Sequence, residues 1–137
     1  MRYTAKRQML RTGILNPHLN SLLSRVRHTN TLVIADRGFP FWPSIETVDI
    51  SLVDDIPRVL DVLRAIRANF VIGRIFLAKE FHSVNSVEKQ REFQAAVDGI
   101  TVENEPHVEF KKRVPGATGL IRTGDTTQYA NLILESA

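Results

Sequence analysis

The chain contains no cysteine, two methionines and one tryptophan among 137 residues. Without thiols it can have no structural disulfide, no thiolate nucleophile and no Cys-ligated zinc or iron–sulfur centre. Long hydrophobic runs are missing as well. A membrane span needs about 18 consecutive apolar residues, and no apolar core follows the basic N-terminus as it would in a signal peptide. A cytoplasmic protein with no membrane partner is the expectation. No Gly/Ser/Pro linker, internal repeat or low-complexity tract divides the chain, and at this length one core is expected.

Acidic residues are absent from one end. Residues 1–27 carry six Arg/Lys and no acid, while the whole chain is formally +3, so the remainder sums to −3. The isoelectric point near 9.6 therefore reflects one basic segment. Residues 1–10 are expected to be a basic N-terminal extension without periodic order, and residues 11–137 a single domain. A short arm of this kind is weak warrant for a polyanion partner; it reads as a solvated extension, and no nucleic-acid partner is expected.

Several stock motifs are also missing. The chain has no Walker A loop, no dinucleotide-type glycine cluster after its first strand and no Gly-x-Ser-x-Gly elbow. Gly116-Ala-Thr-Gly119 matches the two-glycine loop of KH domains, but it runs into a strand rather than joining helices, so it reads as a turn. The four histidines, His18, His28, His82 and His107, show no ligand spacing and no carboxylate cluster completes a site. No metal and no cofactor are expected.

What is present alternates between two periodicities. Asn16-Pro17 is a helix start, followed by Leu19, Leu22, Leu23 and Val26 on one stripe, with an end near Arg27. Thr31–Asp36 is a short apolar run closed by Gly38 and Pro40, and residues 45–52 alternate as a half-buried strand does. Pro57 opens a helix with Leu60, Leu63 and Ile66 inward, and residues 70–78 form another buried strand. Ser83–Val97 reads as one helix with Asn85 and Glu88 in capping-box positions. Residues 100–103, 119–122 and 131–134 read as strands, and Pro106–Arg113 as a short helix. Strands alternating with helices predict an α/β layer fold.

In such folds ligands gather at the carboxyl ends of strands, which directs attention to three clusters. His28 lies in a loop between helix and strand, where an imidazole can exchange protons near neutrality or merely complement a helix C-terminus. Asp36 ends a buried strand, a costly place for a carboxylate unless it is paired or binds something. His107 and Lys111 are four apart and share a helix face, as a ligand pair or as a solvated charged face. Tyr129 and Asn131, flanking Ala130, lie on one side of an extended segment, as a site or as a turn residue and a core tyrosine.

In this order the clusters resemble the D-ribose pyranase family of cytoplasmic sugar mutarotases, which also includes the L-fucose mutarotases. The resemblance rests on Gly13-Ile-Leu-Asn16, His28-Thr-Asn-Thr-Leu-Val-Ile-Ala-Asp36, Gly38-Phe-Pro40, Ile56-Pro57 with Leu60-Asp-Val-Leu63, His107-Val-Glu-Phe-Lys-Lys112, and Ile121-Arg-Thr-Gly124 with Tyr129-Ala-Asn131. It implies a three-layer α/β/α single domain with a mostly parallel mixed sheet, and His28 as the acid/base. It also implies sugar contacts from Asp36, His107, Lys111, Tyr129, Ala130 and Asn131. The reaction implied is exchange of β-pyranose and β-furanose D-ribose by ring opening at the hemiacetal carbon. The alternatives are an L-fucose-type mutarotase or a non-catalytic sugar-binding or sensor protein of the same fold. Self-association into a ring, a decamer of two stacked pentamers with each site completed by a neighbour, is implied too. Phe39, Phe41 and Trp42, clustered in a Pro-broken loop, add an expectation of an interface or ligand wall. The chain departs from the family pattern at Arg27, Asn30 and Arg37. Arg37 stands where a small residue is usual, and an arginine at the pocket mouth points to a phosphorylated or acidic ligand.

Overall fold

Hydrophobic runs long enough for strands alternate here with amphipathic stretches, and in the computed structural model each finds its layer. The structure describes residues 13–137; the expected basic extension over residues 1–10 lies outside the described residues. Helix α1 (Pro17–Ser24) leads to β1 (Thr31–Ala35) and β2 (Glu46–Asp49), then α2 (Val59–Arg67) and β3 (Ile72–Ala78). Helices α3 (Glu80–Val84) and α4 (Val87–Ala96) precede β4 (Thr101–Glu105), α5 (His107–Arg113), β5 (Gly119–Arg122) and β6 (Leu132–Ser136). No helix among the described residues is long and apolar enough to cross a membrane.

The six strands lie in the order β2-β5-β1-β6-β3-β4. Pairings β2/β5, β5/β1 and β3/β4 are parallel, and β6 runs antiparallel to both β1 and β3. The expected mostly parallel mixed sheet is what the structure has. One edge of the sheet therefore gathers the carboxyl ends of five strands and the amino end of β6.

Alternation along β1 explains the layers. Leu32 and Ile34 face a large core with α1, α2, α3 and α4, whereas Val33 and Ala35 face a smaller one with Phe76, Phe110, Val114 and Ile133 under α5. With both faces covered, β1 is buried from Leu32 onward, as central strands of such sheets are. Helix α1 begins where Asn16 Oδ1 accepts from the backbone N–H groups of His18 and Leu19 at 2.9 and 3.0 Å. Gly119 starts β5 where a Cβ would lie 2.6 Å from Leu22 Cδ1, so the absence of a side chain lets α1 sit on the sheet.

Several boundaries differ from the sequence expectation. Helix α1 stops at Ser24 instead of near Arg27, because Arg27 and Asn30 close a turn of their own, the Arg27 N–H donating to Asn30 Oδ1 at 2.9 Å. Strand β2 ends at Asp49, whose Oδ1 accepts from the Ser51 N–H at 2.9 Å and bends the chain away. The helix expected over Ser83–Val97 is two helices. Asn85 is extended, and its amide donates to Phe81 O and Gln128 O at 2.8 and 2.9 Å. Ser86, rather than Asn85, caps α4 by accepting from the Lys89 N–H. Pro57 lies ahead of the α2 cap instead of opening the helix, since the cap residue is Arg58.

Candidate functional site

Chain topology brings Asp36, His107, Tyr129 and Asn131 to the same sheet edge. Asp36 follows the last residue of β1, His107 follows β4, and Asn131 precedes β6, the strand beside β1. Asp36 is 9% exposed and Asn131 3%. The Asn131 Oδ1 accepts from the Asp36 backbone N–H at 2.7 Å, joining the two chain segments.

The Asp36 carboxylate is turned into the loop that follows. Its Oδ1 accepts from the Gly38 N–H at 3.0 Å, and the Phe39 N–H also reaches it. Burial pushes the Asp36 carboxyl above its ordinary range; these backbone donors and Asn131 oppose the shift without cancelling it, and the nearby Asp125 charge adds to it. Phe39, held by that loop, presents its ring edge-on to His107 at 6.1 Å. His107 stacks on Phe110 at 5.9 Å and meets the Tyr129 ring edge at 5.0 Å. Tyr129 takes a left-handed backbone (φ 56°), which turns the chain between the polar loop and buried Asn131. Asp36, Phe39, His107, Tyr129 and Asn131 thus form one continuous set of contacts.

His107 is held by its backbone, leaving its ring available. Its N–H donates to the Glu80 carboxylate at 2.9 and 3.2 Å, a tie from the start of α3 to the start of α5. Its Nδ1 is buried with no hydrogen-bond partner among the described residues. Burial lowers the imidazole pKa, the Lys111 charge lowers it further, and Glu80 opposes. Lys111, one turn along α5, is half-buried on the face His107 occupies. Ala130 is fully buried and can offer a ligand only its main chain.

Beside Asp36 opens a cavity of about 270 Å³ lined by Arg37, Gly38, Asp125, Thr126 and Thr127 among others, large enough for a monosaccharide. Asp125 is a functional candidate that sequence reasoning missed. It is 3% exposed, its Oδ2 accepts from the Val59 N–H at the start of α2 at 2.9 Å, and its Oδ1 accepts from the Thr127 N–H at 2.8 Å. The sequence marked it only as part of a turn; an acid between Gly124 and two threonines was the one signal. Glu80, which orders His107, was missed as well. A larger cavity of about 420 Å³ lies against α4 and β4; its walls are mainly apolar, and His82 Nε2 there lies 2.7 Å from Asn104 Oδ1.

His28 is not in this cluster. It lies in the exposed turn before β1, whose residues Thr29 and Asn30 pair with Ser136 at the far end of β6. Five strand residues at about 3.3 Å each separate it from Asp36 by roughly 16 Å along β1. Arg27 does not face the cluster either, because its guanidinium donates to Ser24 O and Val26 O at the end of α1. The Phe39–Trp42 loop divides: Phe39 packs on its own core, and Phe41 is exposed.

Comparison with known proteins gives a consistent picture. Residues 9–137 match the model of the RbsD / FucU transport protein family. The chain is 41% identical over 128 residues to a D-ribose pyranase of Geobacillus kaustophilus, covering 93% of each chain, and 37% identical to one of Laribacter hongkongensis, covering 93% of this chain and 97% of that one. Among solved structures it resembles Bacillus subtilis RbsD complexed with D-ribose, with a TM-score of 0.86 and 31% identity over 94% of this chain and 98% of that one. A Streptococcus pneumoniae fucose mutarotase in complex with L-fucose shares the fold, with a TM-score of 0.76 at 19% identity over 93% and 94% of the two chains.

Proposed function

Since the chain belongs to the RbsD / FucU transport protein family, we propose that it is a D-ribose pyranase, an isomerase that interconverts the β-pyranose and β-furanose forms of D-ribose. The observation that carries this reading is the convergence of a buried carboxylate, an imidazole, a phenol and an amide next to a sugar-sized cavity. Such groups suit a polyhydroxylated neutral ligand. In this reading the Asp36 carboxylate, which lines the cavity, accepts from a sugar hydroxyl, and Asn131, His107, Tyr129, Lys111 and the Ala130 main chain in the adjoining cluster supply the remaining sugar contacts.

Ring exchange needs a proton removed from the anomeric hydroxyl and one delivered to the ring oxygen, then the reverse after the open chain rotates. The uncatalysed reaction proceeds in water, so one positioned acid/base worth about 10² to 10⁴-fold is enough. His28 is assigned that role. Its place at the opposite end of β1 supports a site shared between subunits, in which the turn of one chain meets the Asp36 edge of its neighbour. A homo-oligomeric ring, a decamer of two stacked pentamers, would allow this and would cover Phe41, Leu52 and Ile56, which are all more than half exposed here. The same reading places the reaction in the cytoplasm and makes residues 1–10 an appendage to the sugar-binding domain.

Saturation-transfer NMR on equilibrated ribose tests the assignment because it reports exchange between ring forms directly. The wild-type protein is expected to accelerate exchange, and His28→Ala to lose the acceleration with an unchanged circular dichroism spectrum. A His28→Ala protein as fast as wild type would remove His28 from the proton path; a wild-type protein without effect would reject the pyranase reading.

A further inference from the structure

Arg37 was expected, from its place after Asp36, to favour an anionic ligand. Its structural setting argues the reverse. The backbone of Arg37 is pinned by its N–H donating to Asp125 O at 2.9 Å, which holds the residue in the cavity wall. Its guanidinium does not face the cavity unpartnered, because Nη1 donates to Asp54 Oδ1 at 2.5 Å.

The turn carrying Asp54 is fixed to the same wall. The Asp55 N–H donates to Gly124 O at 2.6 Å, and the Asp55 carboxylate accepts from the Thr126 N–H and hydroxyl at 2.9 and 2.8 Å. Asp55 itself has a left-handed backbone, φ 64°, which sets the turn's direction. The rim cation is thus neutralised by Asp54, with Asp55 close by and Asp36 and Asp125 lining the cavity. Arg122, the other arginine of this edge, is occupied by the carbonyls of Asp36, Arg37 and Pro40. Both members of the Arg37–Asp54 pair are about 60% exposed, so the pair contributes little to stability; its consequence is the charge presented to an entering ligand.

We propose that the Arg37–Asp54 pair is a charge filter at the mouth of the sugar site, admitting neutral pentoses and turning away 5-phosphorylated ones. The inference rests on the sugar-isomerase reading of the site and adds a specificity determinant to it. Chemistry gives the filter a purpose. A pentose phosphorylated on O5 has no free hydroxyl there and cannot close to a pyranose, so in this site it would be a dead-end occupant. Asp54 supplies the negative charge that keeps Arg37 from holding such a phosphate.

The test measures binding of ribose 5-phosphate and of ribose by isothermal titration calorimetry to the full chain as wild type, Asp54→Asn, Arg37→Ala and the double variant. Wild type is expected to bind ribose 5-phosphate at least tenfold more weakly than ribose. Asp54→Asn should tighten ribose 5-phosphate about tenfold with little change for ribose, since it frees a guanidinium able to fork onto phosphate. The gain should vanish in the double variant, which separates Arg37 from Lys111, and at about 1 M salt, where the Debye length falls to about 3 Å. Arg37→Ala alone should bind ribose 5-phosphate no better than wild type. Equal wild-type affinity for the two sugars, or an Asp54→Asn protein with unchanged affinity for ribose 5-phosphate, overturns the filter. Ribose exchange followed in the same samples reports on the isomerase reading separately: a gain of phosphosugar binding in Asp54→Asn without ring exchange in any sample upholds the filter and rejects only that reading.

Discussion

Asp36 is held in the folded protein at a cost in stability. Its carboxyl pKa is raised by burial, so the folded state binds this proton more tightly than the unfolded chain does. Stability associated with the group is therefore greatest in acid, falls as pH rises from the ordinary carboxylate range through the raised folded value, and stays reduced at neutrality. Asp36→Asn removes the charge and keeps an oxygen for the Gly38 N–H. The variant is expected to melt at or above the wild-type temperature at pH 7, with the difference shrinking in acid, and to lose ribose binding. Thermal melts across pH alongside ribose titrations check this; a clearly lower melting temperature at pH 7 would mean that the carboxylate stabilises the loop more than its burial costs.

His107 makes the complementary case. Three aromatic rings surround it, while its buried Nδ1 has no partner among the described residues, a condition that costs about 1–3 kcal/mol. His107→Phe fits the aromatic surroundings and removes the orphan nitrogen. The expected result is a melting temperature within a few degrees of wild type and ribose affinity at least tenfold weaker. Unchanged affinity would make His107 a packing residue.

At the scale of elements, the site is built where loops approach too closely for a side chain. A Cβ on Gly124 would lie 2.2 Å from Val53 O and 3.0 Å from Ile56 O, because the turn bearing Asp54 and Asp55 is pressed against the strand end that bears Asp125. Gly124→Ala must push that turn away, and overpacking of this kind costs about 1–3 kcal/mol. Urea unfolding should show the loss, and ribose binding should weaken with it since Asp125 loses its setting. The strands and helices around this point were largely legible, because Leu32–Ala35 and Ile75–Ala78 are too apolar to be anything but buried and Leu60, Leu63 and Ile66 keep strict helical spacing. Asp36 stood out for a related reason, a polar residue directly after such a run marking a strand end, whereas His107 follows the polar β4 and was singled out only by its helix spacing with Lys111. What escaped was set by contacts distant in sequence. Asn85 interrupts a helical pattern by bonding Gln128 O, 43 positions away. Asp125 looks like any turn acid until its bond to the Val59 N–H is seen.

At the scale of the molecule, the decisive fact is that β1 separates His28 from Asp36 by its whole length. No rotamer closes a gap of roughly 16 Å along five strand residues, so if His28 moves the protons, a second chain must bring it. This makes a prediction that oligomer mass alone does not. His28→Ala and Asp36→Asn proteins should each be inactive in ribose exchange, the first lacking its proton carrier and the second its sugar carboxylate. Mixed after mild dissociation and reassembly, they should regain activity, because sites pairing a His28 from the Asp36→Asn chain with an Asp36 from the His28→Ala chain are intact. Random assembly in a closed symmetric ring makes such sites roughly a quarter of the total, and exchange should recover to about that fraction. Within a single chain no mixture can create an intact site. A mixture as inactive as its components, with light scattering showing mixed oligomers of the wild-type mass, would place both residues' roles in one subunit and take the proton-carrying assignment away from His28.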